Sequence, residues 1–138
     1  MEKITRSYLT RLTYHVNGAA IEIHKALGPG LLESAYQQCM IHELRKRGIP
    51  FEFEVAVPII YKGVEIGSRL KCDLLIENCL VVELKAIESI LPVHEAQILT
   101  YMKLLEVPKG LMLNFNCVNL YKQGQKTYVN QLFSQLEE

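Results

Sequence analysis

A chain of 138 residues has the length of one ordinary domain, and 49% hydrophobic with 22% charged residues is enough apolar material for a single core spanning 1–138. That composition excludes disordered and fibrous classes. Lys plus Arg and Asp plus Glu both number 15, so no global field draws the chain toward nucleic acid or an anionic membrane.

The first residues, MEKITRSYL, are charged without a following apolar run, which predicts no signal peptide. From about residue 4 to 27, Leu9, Leu12, Val16, Ala19 or Ala20, Ile23 and Leu27 recur at helical spacing. Gly28, Pro29 and Gly30 stop that helix. A second helix is expected from about Leu31 to Arg47, with Leu32, Ala35, Tyr36, Cys39, Met40 and Leu44 as its buried stripe and Gly48 at its end. Arg45, Lys46 and Arg47 are the densest basic run. They read first as a solvated helix end favoured by the helix dipole.

The period then changes to two. Phe51, Phe53, Val55 and Val57 alternate with Glu52, Glu54 and Ala56, as in a strand. Lys62-Gly63 offers a turn. A long strand is expected from about Ile66 to Ile76 and another from Leu80 to Ala86, then a break at 90–92 and a helix from about Val93 to Leu105. Residues 109–116 read as a buried strand, while 118–122 and 126–133 read as a closing hairpin whose last turn has a helical alternative. The order of helices and strands predicts an α/β or α+β domain with a mixed sheet.

The four cysteines (Cys39, Cys72, Cys79, Cys117) have apolar neighbours and no CxxC spacing, as expected of small core residues in a reduced, cytoplasmic protein. No zinc-ligand spacing appears. No apolar run of about 18 residues suggests a membrane span.

The segment CDLLIENCLVVELKA, residues 72–86, would be core but for Asp73, Glu83 and Lys85. Glu83 and Lys85 share a strand face because they are two apart. A two-residue turn at Glu77-Asn78 would pair Asp73 with Val82 and separate the acids. A three-residue loop, Glu77-Asn78-Cys79, would set Asp73 directly across from Glu83, and Asn78 tolerates the left-handed conformation that such a loop needs. The odd-length loop, or a bulge restoring its register, is the expectation. Two carboxylates held together repel unless one is protonated or a cation lies between them. A hard divalent ion, Mg²⁺ or Mn²⁺, suits two protein carboxylates plus water. Such an ion acidifies a water that Lys85 can orient or deprotonate, which suits phosphodiester hydrolysis. Spacing alone leaves a surface salt bridge to Lys85 open as the alternative.

Further residues bear on that choice. Asp73 with Glu83, Leu84 and Lys85 (D-x9-E-L-K) resembles the PD-(D/E)XK nuclease signature, and Gln97 to Tyr101 (QILTY) resembles the QxxxY motif of exonucleases in that superfamily. GLLESAY, residues 30–36, looks like the motif that names the GxxExxY family of the same superfamily. HEAQILTYMK (94–103) and LMLNF (111–115) resemble its later segments, so the similarity covers about residues 15–122. The resemblance implies a restriction-endonuclease-like α-β-β-β-α-β core with a mixed central sheet flanked by helices. It implies that Asp73 and Glu83 bind metal with the carbonyl of Leu84, that Lys85 serves the attacking water, and that Glu33 supports the metal site. Glu33 has a structural alternative of equal weight, a first-turn acid facing the helix dipole. Gln97 and Tyr101, one turn apart on one helix face, would line the site and contact phosphate or a metal-bound water. His94 reads as a capping residue, and Tyr36 as core whose hydroxyl can reach toward the site. Cys72 stands where the superfamily has proline.

Two functions follow as expectations: a metal-dependent nuclease acting on DNA or RNA, or a nuclease-fold binding or regulatory module with weak or no catalysis. The zero net charge favours the second, since phosphate neutralisation dominates nucleic-acid affinity and the basic footprint is limited to Arg45–Arg47, Arg69 and Lys71. A homodimer would supply the missing surface. A small-molecule enzyme has no support, for neither a Gly-rich phosphate loop nor a Ser/His/Asp constellation appears.

Overall fold

A computed structural model describes residues 3–67 and 70–138. Met1, Glu2, Ser68 and Arg69 lie outside the described residues, and with them one cation of the expected basic footprint.

Helix α1 (Arg6–Leu27) starts where the Thr5 side chain accepts a hydrogen bond from the Tyr8 amide and ends at Gly28, whose φ of 68° only glycine adopts without strain. Its buried stripe is Leu9, Leu12, Val16, Ala19, Ala20 and Ile23, the 3.6-residue period read from sequence. Helix α2 (Glu33–Lys46) buries Tyr36, Gln37, Met40, Ile41 and Leu44. Strand β1 (Phe51–Ala56) leads into a separate two-stranded hairpin, β2 (Ile59–Tyr61) and β3 (Val64–Ile66), which turns at Lys62-Gly63 with both φ angles positive. Then come β4 (Lys71–Ile76), β5 (Leu80–Lys85), α3 (Pro92–Leu104), β6 (Lys109–Asn114), a π-helical turn (Leu120–Gly124), β7 (Gln125–Val129) and a short α4 (Gln131–Ser134).

The main sheet has the order β1-β4-β5-β6-β7. β5 and β6 are parallel neighbours and the other pairs are antiparallel. Alternation sorts its side chains onto two faces. Leu74, Ile76, Leu80, Val82, Leu84, Leu111 and Leu113 pack with α1 and α2, while Leu75, Val81 and Met112 pack with Ile98, Tyr101 and Met102 of α3. A mixed sheet thus lies between helices on both sides, as expected.

Leu27 and Leu32, expected on the helix stripes, are exposed, and two expectations about strands need correction. The described residues of the strand foreseen over 66–76 fall in two strands, because Ile66 ends β3, which pairs with β2, and among them only Lys71–Ile76 joins the main sheet. The hairpin of 118–122 with 126–133 does not form. Asn119 accepts from the Lys122 amide through its side chain and turns the backbone into the π-helical segment. β7 pairs with β6 instead, and the chain ends in the helical turn held open as the alternative. Gly124 makes the π-turn possible. A Cβ there would lie 2.5 Å from the Asn114 carbonyl oxygen and 2.6 Å from Leu120 Cδ1. Gly124→Ala is expected to cost about 1–3 kcal/mol, read as a lower midpoint in urea denaturation.

Candidate active site

The loop Glu77-Asn78-Cys79 has the odd length that the site needs. Glu77 and Asn78 adopt φ of 52° and 56°, and the Cys79 amide donates to the Ile76 carbonyl over 3.0 Å. β4 and β5 then pair as Ile76↔Leu80, Leu75↔Val81 and Leu74↔Val82. Extending this register by one residue sets Asp73 opposite Glu83.

The ladder stops there. The β1–β4 pairing also passes over this point, running from Phe53↔Leu74 to Val55↔Cys72 with Glu54 at a φ of 52°. Asp73 is therefore bridged to neither neighbouring strand. Buried backbone groups released from a ladder must find other partners, and here the two acids supply them. Glu83 Oε2 accepts the Asp73 N–H at 2.8 Å, and Asp73 Oδ2 accepts the Leu84 N–H at 2.8 Å. The carboxylates are thus locked reciprocally to each other's strands. Each keeps its second oxygen free of hydrogen bonds among the described residues. No buried side-chain oxygen or nitrogen there lacks a partner, so those two oxygens remain open to solvent.

The electrostatics are those of a crowded acidic site. Glu83 is 4% exposed. Burial first, then the Asp73 charge, push its carboxyl up to about 8. Burial also raises Asp73, with Glu33 and Glu54 adding to the effect, while the Leu84 amide and Lys85 oppose it. Lys85 is half-buried and makes no ion pair within 4 Å among the described residues. The alternative of a closed surface salt bridge is therefore not what the fold builds.

Glu33 is exposed on the first turn of α2 and is close enough to raise both acids. It does not complete a cluster: among the described residues no three His, Cys, Asp or Glu side chains stand together as a metal cage. The donors at hand are the free oxygens of Asp73 and Glu83. Two hard oxygen ligands, paired to no cation and partly solvated, fit a Mg²⁺-type ion that keeps most of its water.

Sequence reasoning missed Gln37. It is buried one turn after Glu33, and its Nε2 donates to the Asp73 carbonyl at 3.2 Å. The i, i+4 spacing from Glu33 was the available signal. Tyr36 belongs to the same device, buried as expected but with its hydroxyl directed elsewhere. Its hydroxyl turns from the acids, donates to the Gly28 carbonyl at 2.6 Å and accepts the Leu31 N–H at 3.2 Å. Its ring stacks on Phe115 with centroids 4.2 Å apart. Tyr36 therefore clasps the glycine loop that starts α2 and aims Glu33 and Gln37 at β4. Tyr36→Phe is expected to lower stability by about 1–2 kcal/mol by unpairing the loop, measured as a shift in denaturation midpoint with little change in m-value.

On the other face, Tyr101 is buried. Burial raises its phenol, and the Glu83 and Asp73 charges raise it further, which places the ring near the acids. Gln97 is half-buried one turn earlier, and neither side chain is hydrogen-bonded among the described residues. His94 caps α3, its Nδ1 accepting the Leu91 N–H at 2.9 Å. The cysteines are all free, and burial pushes the Cys72 thiol up to about 12 and Cys79 up to about 11, so neither is a ready nucleophile.

A profile described as the PD-(D/E)XK nuclease superfamily matches residues 10–128. The match takes in most of α1, all of α2, the acid-bearing strands, α3 and most of β7, so the chain belongs to that superfamily. No curated protein and no solved structure matches it. No helix among the described residues is long and apolar enough to cross a membrane.

Proposed function

We propose that the chain is a metal-dependent nuclease that hydrolyses phosphodiester bonds of DNA or RNA, a GxxExxY-family member in which residues 1–138 act as one nuclease-like domain. The observation that supports this most is the reciprocal lock of Asp73 and Glu83. It holds two partly buried carboxylates with one open oxygen each and no neutralising cation within ion-pair distance. In this reading those oxygens hold Mg²⁺ or Mn²⁺, with the Leu84 carbonyl beside them and Glu33 supporting from α2. When bound, such an ion offsets phosphate charge and acidifies the attacking water. Lys85, whose ammonium is unpaired, donates a hydrogen bond that orients that water. Gln97 and Tyr101 present free donors from α3 to the phosphate oxygens. Gln37 holds the Asp73 backbone so that its carboxylate does not swing away.

The test is incubation of purified protein with single- and double-stranded DNA and RNA in Mg²⁺ or Mn²⁺, with EDTA as control. Cleavage of at least one substrate, lost in EDTA, is expected. Metal-independent cleavage, or none with any substrate, would overturn it. The second reading, a nuclease-fold binding module, draws on the balanced charge and on the acids Glu33 and Glu54 around the site, which repel phosphate in the absence of metal. Salt titration of binding separates the two, because a phosphate-gripping nuclease loses affinity steeply with ionic strength.

A further inference from the structure

Beyond the acids, on the α3 face of the sheet, the carboxyl ends of the parallel strands β5 and β6 open into a cavity of about 620 Å³, well within the range of small-ligand pockets. Crevices at the carboxyl ends of parallel strands are the usual ligand sites of open sheets. This one adjoins the candidate active site through the sheet itself: Glu83 pairs with Met112 and Lys85 with Asn114, and both β6 residues line the cavity.

Its walls are built rather than incidental. Asn114 is buried and its side-chain amide makes three hydrogen bonds. Oδ1 accepts the Ile87 N–H at 3.1 Å and the Asn116 N–H at 3.2 Å, and Nδ2 donates to the Ile87 carbonyl at 3.0 Å. Both loops that rim the cavity, after β5 and after β6, hang from this one side chain. Glu95 of α3 closes the far side, accepting from Lys126 at 2.7 Å and Tyr128 at 2.6 Å.

What remains available inside is neutral and mixed. The Ser89 hydroxyl, the Asn116 amide and Gln123 Nε2 make no hydrogen bond among the described residues, and Met112 and Val118 add apolar surface. Lys126 is already paired, and Glu88 and Glu95 lie on the walls, so a phosphate would find repulsion here. Donors and acceptors beside an apolar floor suit the edge and face of a heteroaromatic ring instead. We infer that this cavity receives one unpaired nucleobase of the substrate, adjacent to the phosphate cleaved at the Asp73, Glu83 and Lys85 site. The base must be unpaired, since its hydrogen-bonding edge is occupied in a duplex. The inference rests on the nuclease reading and deepens it: the substrate is single-stranded, or is opened at the site.

The test is fluorescence anisotropy with labelled single strands in Ca²⁺, an abasic site being moved along the strand one position at a time. For the wild type, one position is expected to weaken binding about tenfold, the scale of a single base contact. That sensitivity is expected to vanish in Asn116→Ala and in Val118→Trp, which adds bulk at the cavity's rim. Both changes fall at exposed loop positions. A wild type indifferent to every abasic position, or a penalty unchanged in both variants, overturns the inference. A base penalty without any cleavage in Mg²⁺ supports the subsite while sinking the nuclease reading. No binding of any strand by the wild type overturns both.

Discussion

Asp73→Asn is expected to reduce cleavage by about a thousandfold or more while leaving the fold intact. The size follows from the charge stabilisation a divalent ion supplies, several kcal/mol, at about 1.4 kcal/mol per decade of rate. The substitution isolates charge from structure. Asp73 Oδ2 has a structural duty, accepting the Leu84 N–H, and an asparagine carbonyl oxygen can take that bond over. Asp73→Ala cannot, so it is expected to lose activity and also about 1–3 kcal/mol of stability through the unpaired amide. Single-turnover kinetics in saturating Mn²⁺, with urea denaturation of both variants, checks the pair of outcomes. Retention of activity in Asp73→Asn within tenfold of wild type would remove Asp73 from the chemistry. Equal stability losses in the two variants would show that the reciprocal lock is not what holds this part of the sheet.

The same region shows what a one-dimensional reading can and cannot reach. The parity of the β4–β5 loop was legible because side-chain direction has a period of two, so loop length alone decides whether Asp73 and Glu83 share a face. The observed register meets the odd-length expectation. The release of Asp73 from both ladders was not legible. It depends on Glu54 adopting a positive φ on β1 and on Gln37 reaching the Asp73 carbonyl from α2, two segments remote in sequence. In the strand pattern Glu54 is simply an outward polar residue, and Gln37 falls outside the apolar stripe read for its helix.

Local side-chain bonds explain the other misses. Val118 and Leu120 alternate with polar residues as a strand would, but Asn119 bonds the Lys122 amide and Gln123 Oε1 accepts the Val118 and Asn119 amides. Those bonds satisfy the backbone within the segment and remove its need for a strand partner. The GLLESAY segment shows the reverse case. Its motif and the core placement of Tyr36 were visible, but the division of labour beyond that was not: the Tyr36 hydroxyl fixes the loop, while the residue after it touches the acid-bearing strand.

The buried acid predicts a second large effect, on stability. In the metal-free protein, stability is expected to fall as pH rises from about 4.5 to about 8. Glu83 holds its proton in the folded state up to about 8, whereas an unfolded glutamate releases it near 4.5. Between those values the folded state binds more protons than the unfolded one, and stability then declines with pH. Below this window both states are protonated and nothing is lost; above it the penalty is complete, on the order of a few kcal/mol. Asp73, raised by burial as well, acts in the same direction. Glu83→Gln keeps an oxygen for the Asp73 N–H and removes the charge, so it should flatten the profile and make the metal-free protein more stable than wild type at pH 8. Mg²⁺ or Mn²⁺ should restore wild-type stability in this range, with proton release on binding, and should do little for Glu83→Gln. Urea midpoints at pH 5 and pH 8.5, with and without Mn²⁺, read all of this directly. A wild-type midpoint that does not move with pH would mean that Glu83 is not held as a buried, uncompensated acid. A metal effect equally large in Glu83→Gln would place the ion elsewhere.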